Sequence, residues 1–446
     1  MNPSVATSSR TPKGLRRGRK RRKKILSHQL TGREYLRILR PFLARLHAAY
    51  SHPLRVLFYD DVVISYLLAF FNPPVESLRL IEDASQIPGI NKFLNVESVC
   101  RSTLSDANAL FDPQHLQGLI ADLRSRLPST RGAGESDSQL TRLLDNAVLV
   151  DGSFFRLAAD VQWAIHAANQ HGGGKGFIGP QPKPAPGKKP KTDKPGIGTV
   201  RLNCQYCLRT GVPVGVSVNG SDGVHESTAA REFIEPGRLY LFDSGIVSFA
   251  YLSDILTAQS HLLCNLSAMV CFATEKENPL TQQDLAAGVI SDRLGYLPGS
   301  HGHPAPAQQL REIIVSYTDR SGHPRQLRLL TDLMDLPAHA VAELYRQRWQ
   351  IELFFRWLKV NANFSHLCSH SKNGVSLAFH VAMIAAMLMV IATNRPLSKY
   401  GYSLMSMVAS GLADAADILP ILENRERQRQ LERNRLARKK TLQKSA

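Results

Sequence analysis

Hydrophobic residues in the first third of the chain recur at the three- and four-residue spacing of amphipathic helices. The spacing predicts a helix over Leu30–Tyr50, in which Pro41 marks a break or kink. Four further helices are predicted, separated by the turn signals Pro73-Pro74 and Pro88-Gly89. They cover Asp61–Phe71, Val75–Gln86, Val96–Phe111 and Gln114–Leu127. Residues 30–140 are therefore predicted to form an all-helical domain.

Two of these segments have the arrangement of a helix-turn-helix. Val75–Gln86 and Val96–Phe111 are separated by a turn at Pro88–Ile90. In a DNA-binding helix-turn-helix, the second helix would offer Arg101 and the hydroxyl groups that follow it to the major groove. Two amphipathic helices joined by a turn occur in most helical domains, so a plain packing role stays open as the alternative.

From Asn146 onward the pattern changes to short apolar runs that alternate with helical segments. Ala147–Val150 and Leu239–Phe242 are predicted to be buried strands, and an aspartate follows each of them. Strands are also predicted over Val200–Leu208, Val212–Val218, His261–Leu266, Glu312–Tyr317 and Gln326–Leu330, and helices over Phe155–Asn169, Glu226–Ile234, Ile246–Thr257 and Ala338–Lys359. This order predicts an α/β fold whose sheet is covered on both faces, with a β-rich insertion before the last helix.

The net charge of +18 is concentrated in three segments. Residues 10–24 hold ten basic residues and no acidic one, and residues 171–198 and 425–444 are also strongly basic. Flexible basic segments of this kind fit a polyanion such as double-stranded DNA, and Arg16, Arg17 and Lys20 are candidate phosphate contacts. The alternative is that the tails only keep the protein soluble. Residues 171–199 are rich in Gly, Pro and Lys and are predicted to be a loop.

The predicted compartment is the cytoplasm. Six scattered cysteines are few for 446 residues, which favours a reducing environment, and no signal peptide is visible. Val375–Thr393 is apolar enough to raise the question of a membrane span. It contains His380 and stands alone, so it is predicted to be a buried core helix and no membrane partner is expected.

Two carboxylates, Asp151 and Asp243, directly follow the short buried strands. Chemistry on open α/β sheets collects at strand ends, so both are candidate catalytic groups. An aspartate in this place can also be a simple turn or cap residue.

A third candidate, Glu352, lies in the predicted helix Ala338–Lys359. At about 100° per residue, this glutamate shares one narrow stripe with four other polar side chains. Large apolar residues surround the stripe, which indicates a charged seam on a mostly buried helix. The alternative is a surface ladder of charges spaced four residues apart. The four other side chains are Tyr345, Arg348, Arg356 and Lys359.

Three carboxylates with basic neighbours suit metal-dependent phosphoryl transfer. Such groups can hold two Mg²⁺ ions, with Mn²⁺ as an alternative, while the basic side chains position phosphates. Cys204 and Cys207 have the spacing of half a zinc site, but no second half completes it. Glu226 and His225 are predicted to be cap or turn residues, with an approach to the active site as the alternative.

The spacing of Tyr345, Arg348, Glu352 and Lys359 matches the signature Tyr-x2-Arg-x3-Glu-x6-Lys. Asp-Gly-Ser at Asp151 and Leu-Tyr-Leu-Phe-Asp ending at Asp243 extend the match over residues 145–395. On these residues the chain resembles the bacterial insertion-sequence DDE transposases of the Tyr-Arg-Glu-Lys signature group, the IS-four-type family.

The resemblance implies a ribonuclease-H-like catalytic core, with Asp151, Asp243 and Glu352 as catalytic metal ligands. Tyr345, Arg348 and Lys359 would grip DNA, cleavage at transposon ends would precede strand transfer, and the active form would be a homodimer on DNA. The implied domains are a basic disordered arm (1–29), a helical DNA-binding domain (30–140), the core in two parts (145–267 and 337–396), a β-rich insertion (268–335) and a C-terminal helix with a basic tail (397–446).

Two departures from the family pattern concern the steps after the first cut. Ser244-Gly245-Ile246 replaces the Arg-Gly-aromatic sequence that often follows the second aspartate, and the insertion holds no Trp for stacking a flipped base. The sequence therefore does not predict whether ends leave as hairpins. A catalytically inactive, domesticated DNA-binding relative is the alternative function, and a nuclease that cuts without rejoining is a third.

Overall fold

The structure, a computed structural model, has helices before residue 146, a mixed α/β region between residues 147 and 361, and helices again after it. It describes residues 33–48, 57–71, 75, 77–88, 98–127, 139–157, 161, 163–166, 198–220, 224–299, 304–319, 321–361, 369–393, 400–401, 403–404, 407, 413 and 415–444. The predicted basic arm at residues 1–29 and nearly all of the predicted loop at 171–199 lie outside these ranges.

The described residues before the sheet are helical, as the apolar spacing predicts. The helix continues on both sides of Pro41, so of the predicted break or kink the break is wrong. Leu39, Phe42 and Leu46 on either side of the proline are buried in the core. The elements are α1 (Arg33–Ala48), α2 (Tyr59–Phe71), α3 (Leu78–Ser85), α4 (Arg101–Leu110), a 3₁₀ turn (Pro113–Leu116), α5 (Gln117–Arg126) and α6 (Gln139–Asp145).

The two helices of the predicted helix-turn-helix, α3 and α4, are joined by polar contacts. The Arg101 N–H at the start of α4 donates to Glu82 Oε1 of α3 at 3.1 Å. The Val99 N–H donates to Ser85 Oγ at 2.9 Å. The Arg101 side chain is exposed. Much of the connection between the helices lies outside the described residues, and base reading by Arg101 stays a prediction.

A ten-stranded mixed sheet forms the centre of the fold. Its order is β2-β3-β1-β5-β6-β10-β9-β8-β7, and β4 pairs with β3. β1 is antiparallel to β3 and parallel to β5, and β5 is parallel to β6. The strands are β1 (Ala147–Arg156), β2 (Ile165–His166), β3 (Gly198–Cys207), β4 (Val212–Asn219), β5 (Leu239–Phe242), β6 (His261–Asn265), β7 (Ala273–Glu277), β8 (Val289–Tyr296), β9 (Leu310–Thr318) and β10 (Pro324–Thr331).

The helix predicted over Phe155–Asn169 is wrong within the described residues. β1 continues to Arg156 because it stays paired with β3, and β2 replaces part of the predicted helix. Phe155 is buried in this longer strand, with its ring 4.8 Å from that of Phe379. The other predicted strands, including the hairpin of β3 and β4, are confirmed with small changes at their ends.

The strands predicted after residue 268 continue the sheet of the core. β10 pairs with β6, and β9, β8 and β7 follow antiparallel to one another. Ion pairs are buried among these strands. Arg311 and Asp292 are each 5% exposed and lie 2.7 Å apart. Glu312 has no exposed surface and pairs with Arg293 and Arg328.

The segment Ala338–Lys359, predicted to be one helix, forms two. The N–H groups of Gln347, Arg348, Gln350 and Ile351 each bond to the carbonyl three residues before, at 3.0 to 3.2 Å. This tightened turn places Arg348 at the junction. The helices after α6 are α7 (Glu226–Arg231), α8 (Phe249–Thr257), α9 (Gln282–Ala286), α10 (Ala338–Arg346), α11 (Trp349–Asn361), α12 (Lys372–Thr393) and α13 (Ala415–Lys444).

The apolar helix α12 is buried against the sheet and the first helices. It contacts β4 and, on the helical side, α2, α4 and α5. Within the described residues it is the one helix long and apolar enough to cross a membrane, and 89% of its apolar window is buried. The prediction of a core helix over Val375–Thr393 is confirmed.

Candidate active site

Asp151 and Asp243 lie at the same edge of the sheet. β1 and β5 are parallel, and Val150 is opposite Phe242. Asp151 and Asp243 each come one residue after this pair. Parallel neighbours are about 4.8 Å apart, which brings the two backbones close together. Asp151 still belongs to β1, whereas Asp243 follows the end of β5.

Backbone N–H groups hold both aspartates. The Gly152 N–H donates to Asp151 Oδ1 at 2.8 Å, and the Gly245 N–H donates to Asp243 Oδ1 at 2.9 Å. These bonds occupy one oxygen of each carboxylate and fix its direction. Gly245 belongs to the Ser-Gly-Ile sequence that departs from the family pattern, so the departure leaves a backbone contact to Asp243 in place.

Arg348 connects the strand carboxylate with the helix carboxylate. Its Nη2 donates to Glu352 Oε1 at 2.7 Å, and its Nη1 donates to Asp151 Oδ2 at 3.3 Å. The Arg348 and Asp151 side chains are mostly buried, and that of Glu352 is 31% exposed. The junction between α10 and α11 therefore places Arg348 and Glu352 beside Asp151.

Lys359, the lysine of the signature, also contacts β1. Lys359 Nζ donates to Ser153 Oγ at 2.7 Å and lies 5.1 Å from the centre of the Phe155 ring. Partial burial lowers the pKa of Lys359. Ser153 is two residues after Asp151, so the Asp-Gly-Ser sequence supplies contacts for Lys359 as well as for Arg348.

The other two polar residues of the predicted seam differ in exposure. Tyr345 is buried in the core, and burial raises the pKa of its hydroxyl. Arg356 is exposed on α11. The single stripe predicted for a continuous helix is divided at the junction. Of the remaining DNA-contact candidates, Arg101 is exposed on α4, and Arg16, Arg17 and Lys20 lie outside the described residues.

Burial and neighbouring negative charges act on the Asp151 carboxylate against the effect of Arg348. Burial, followed by the charge of Asp243, raises the pKa of Asp151 to about 6, although Arg348 and the Gly152 N–H act in the opposite direction. The charge of Glu226 adds to the rise. For Arg348, burial works against the charged form, but Tyr345 and the carboxylates outweigh it and its pKa is raised.

The residues at this edge fit a divalent cation. Carboxylate oxygens are the ligands that Mg²⁺ and Mn²⁺ prefer. A cation would offset the negative charges of Asp151 and Asp243, which together with burial raise the pKa of Asp151. Within the described ranges, no three His, Cys, Asp or Glu side chains are already gathered into a metal cluster. Arg348 contacts both Asp151 and Glu352 in this arrangement.

His225 and Glu226 lie at the start of α7, where a cap or turn was predicted, and Glu226 is also a neighbour of the site, as in the alternative. His225 occupies the N-cap of α7 without a side-chain bond, and Glu226 lies in the first turn. The Glu226 carboxylate instead lies 3.3 Å from Arg201 Nε and close to Gly152. Its place at the start of the segment between β4 and β5 was the one sequence signal for this position, and it is a weak one.

Asp151→Asn is expected to stabilise the metal-free chain in a pH-dependent way. The pKa of about 6 in the folded state exceeds the ordinary aspartate value of 3.8, so the folded state binds more protons between these pH values. The free energy of unfolding therefore falls as the pH rises from about 4 to about 6. Above pH 6 the folded state bears the full cost of an ionised Asp151. In EDTA, we expect Asp151→Asn to raise the free energy of unfolding by about 1 to 3 kcal/mol at pH 8 and to change it little at pH 4.

Denaturant unfolding at the two pH values would measure this difference, with Asp335→Asn as the control. Asp335 is exposed, so its amide variant removes one charge without relieving a buried one. An equal effect of Asp151→Asn at both pH values would contradict the raised pKa.

Known proteins similar to the chain are transposases. The profile of the family described as "Transposase DDE domain" matches residues 143–388. The chain is 28% identical over 161 residues to "Putative transposase y4zB" of Sinorhizobium fredii, covering 36% of this chain and 44% of that protein. It is 35% identical over 79 residues to "Probable transposase for insertion sequence element IS5377" of Geobacillus stearothermophilus, covering 18% of this chain and 20% of that protein.

The matched segments thus span less than half the length of either relative. A solved structure, "Cryo-EM structure of piggyBac transposase synaptic complex with hairpin DNA", is 11% identical, covers 86% of this chain and 79% of that one, and has a TM-score of 0.36. A TM-score of this size supports no inference about the fold. The family profile contains the strands and helices that carry Asp151, Asp243 and Glu352 and covers more than half of the 446 residues, so the chain belongs to the transposase DDE domain family.

Proposed function

We propose that the chain is a DNA transposase that cleaves DNA at transposon ends and transfers the freed strands into target DNA by a cut-and-paste route. Asp151, Asp243 and Glu352 are its catalytic carboxylates. The observation that carries the proposal is Arg348, which contacts both Asp151 and Glu352 at the sheet edge where Asp243 also lies. Membership of the DDE family supports the same reaction class.

The finer assignment is to the Tyr-Arg-Glu-Lys signature group of insertion-sequence transposases. Arg348 and Lys359 of the signature each contact β1, which their spacing alone does not explain. Arg348 contacts Asp151 and Glu352, and Lys359 contacts Ser153. Charged side chains that only paired with one another on the helix surface would not contact β1. These contacts favour the active-site seam over the surface alternative.

The catalytic core is assigned to the ribonuclease-H-like class. Three antiparallel strands, β4, β3 and β1, are followed across the sheet by the parallel strands β5 and β6. This order supports the assignment, with the catalytic core at residues 145–267 and 337–396 and the insertion at 268–335. The helices before residue 146 support a helical DNA-binding domain at 30–140.

Two Mg²⁺ ions, with Mn²⁺ as an alternative, complete the proposed site. When bound, they would activate the attacking oxygen and stabilise the leaving oxygen in phosphoryl transfer. Asp151, Asp243 and Glu352 would hold the ions through oxygen atoms. The N–H groups of Gly152 and Gly245 keep the two aspartates oriented for this task.

The basic side chains of the seam position the DNA backbone. Arg348 and Lys359 are held beside the carboxylates, and Arg356 is exposed on the same helix. Guanidinium groups bind phosphate oxygens in pairs, and ammonium groups bind them as point charges. Tyr345 is buried, so its role is to support Arg348 from the core.

The partners are double-stranded DNA, at the inverted-repeat ends and at the target, and a second copy of the chain in a synaptic homodimer. The helix α13 supports DNA binding because Arg425, Arg427 and Arg435 on it are exposed. These arginines can neutralise phosphates without disturbing the core. The place of action is the cytoplasm of a bacterium, at the nucleoid, with no membrane partner.

Metal-dependent cleavage tests the function. The substrate is DNA carrying this gene with its natural flanks, incubated with the purified chain in Mg²⁺, in Mn²⁺ or in EDTA. We expect discrete breaks at matching inverted repeats with either metal and none in EDTA, because the carboxylates alone cannot activate the attacking oxygen.

Binding without breaks would instead support the alternative, a catalytically inactive DNA-binding relative. A matched sample of shuffled flanking DNA separates specific breaks from contaminating nuclease, which would cut both substrates. Rejoining of the cut ends to a target plasmid separates a transposase from a nuclease that only cuts.

A further inference from the structure

Glu226 packs directly over the residue that follows Asp151. A Cβ placed on Gly152 would meet Glu226 Oε1 at 2.6 Å, closer than real Cβ contacts allow. A Cβ on Gly245 would lie 3.9 Å from Glu226 Oε2. The two glycines follow Asp151 and Asp243 by one and two residues. Glu226 therefore reaches both aspartate segments, and the missing side chain at Gly152 makes room for it.

Asn203 presents a free oxygen to the same space. Its side-chain amide donates to Ser217 Oγ at 3.3 Å and to Asn219 Oδ1. Its Oδ1 has no hydrogen-bond partner, although the residue is only 8% exposed. This Oδ1 lies 3.5 Å from the same Cβ position on Gly152 that Glu226 Oε1 approaches. A buried oxygen without a donor is costly, which indicates that a donor or a cation belongs there.

Both residues belong to the lining of a small pocket. Asp151, Asn203 and Glu226 line it together, on the side of β1 that faces β3 and α7. Glu352 approaches Asp151 through Arg348 and is not among the lining residues. The pocket is therefore a second approach to the Asp151 carboxylate, in which the polar side chains of Asn203 and Glu226 lie among mostly apolar neighbours.

Arg201 is shared between Glu226 and an aromatic ring. It makes an ion pair with Glu226 at 3.3 Å, and its guanidinium carbon lies 5.2 Å from the centre of the Phe154 ring. The Arg201 guanidinium is therefore not committed to Glu226 alone.

We propose that Glu226 is a fourth carboxylate of the active site and shares with Asp151 the binding of a divalent cation, with Asn203 Oδ1 facing the same ion. The inference rests on the proposed function, because it places Glu226 at the metal site of the transposase. Carboxylate and amide oxygens are suitable donors for Mg²⁺ and Mn²⁺. Glu226 brings the additional negative charge that a second cation requires.

Mn²⁺ binding without DNA tests the inference. Free Mn²⁺ is measured by electron paramagnetic resonance during titration of wild type, Glu226→Gln, Asp151→Asn and Glu232→Gln. Glu232 is an exposed glutamate at the end of the same helix, so its variant removes the same charge outside the site. We expect about a tenfold or larger loss of affinity in Glu226→Gln and in Asp151→Asn, and wild-type affinity in Glu232→Gln.

Wild-type Mn²⁺ affinity in Glu226→Gln would overturn the inference, whatever the other variants do. If Asp151→Asn lost affinity in that case, the proposed catalytic site would survive and Glu226 alone would be excluded. If wild type itself bound no Mn²⁺, both proposals would fall. Gly152→Ala provides a second variant, because its methyl group displaces the Glu226 carboxylate without removing it, and it is expected to weaken Mn²⁺ binding as well. Circular dichroism of each variant excludes unfolding as the cause.

Discussion

Glu352→Gln is expected to lower the rate of DNA cleavage by about a thousandfold or more. Glutamine keeps the size of the side chain and an oxygen that accepts the 2.7 Å bond from Arg348. It loses the negative charge that a metal ligand supplies. The fold and the affinity for DNA should therefore stay near wild type while cutting is lost. The measurement is the single-turnover rate of strand breakage on the gene's flanking DNA in Mg²⁺.

Glu343→Gln is the matched control for this variant. Glu343 lies on the preceding helix, and its side chain is 57% exposed and pairs with the exposed Arg346. The control removes the same charge from the same region without touching the site, so its cleavage rate should equal that of wild type. Unchanged cutting by Glu352→Gln would remove Glu352 from the mechanism.

The largest expected effect on stability comes from Arg311→Met. Arg311 pairs with Asp292, and both are buried. Its Nη1 also donates to the carbonyl oxygens of Leu333, Met334 and Leu336 at 3.0, 3.2 and 2.6 Å. Methionine leaves a buried carboxylate and three carbonyl groups without this donor. We expect the free energy of unfolding to fall by about 3 to 5 kcal/mol, measured by urea denaturation.

Two further variants show whether this loss comes from the buried charge. Arg325→Met removes an arginine from the neighbouring strand that is 61% exposed and pairs with Asp319, so it should cost at most about 1 kcal/mol. Adding Asp292→Leu to Arg311→Met removes the stranded carboxylate and should restore part of the loss. A drop of less than about 1 kcal/mol in Arg311→Met would contradict the assignment of a buried pair.

Arg311 also links the insertion to the catalytic helices. The three carbonyl groups that it binds lie just before α10, which leads to Arg348 and Glu352. A second link is Asp284 of α9, whose Oδ1 accepts from the His339 N–H at 2.8 Å. The position of Glu352, the proposed catalytic glutamate, therefore depends on residues of the proposed insertion, and Arg311→Met is expected to lower cleavage as well as stability.

The sequence was sufficient to predict those parts of the fold that depend on local composition. Apolar runs next to turn residues identified β5 with its correct ends and the hairpin of β3 and β4. The signature spacing identified Arg348, Glu352 and Lys359, and the structure brings all three to the edge of β1. Local patterns succeed here because β5 is short and fully buried, and because β3 and β4 are joined by a short turn.

The features that were missed depend on distant partners. β1 continues past Asp151 to Arg156 because β3 pairs with it there. No local sequence feature near Phe155 predicts this pairing. The junction at Arg348 depends on a change from four-residue to three-residue hydrogen bonds, which hardly alters the apolar spacing. The position of Glu226 depends on the absence of a side chain at Gly152, across the sheet.

The central position of β1 has a consequence for the synthesis of the protein. β1 leaves the ribosome before both of its neighbours, β3 and β5, and residues 157–238 must be added before β5 begins. At about 5 to 20 residues per second, the wait lasts on the order of ten seconds. Until β3 has been made, the apolar residues 147–150 have no native strand partner, and until β5 has been made, the side of β1 that pairs with β5 stays open. Unpaired apolar strands favour aggregation. We therefore expect the yield of folded protein from a cell to depend on chaperones that cover β1 until β5 has been made.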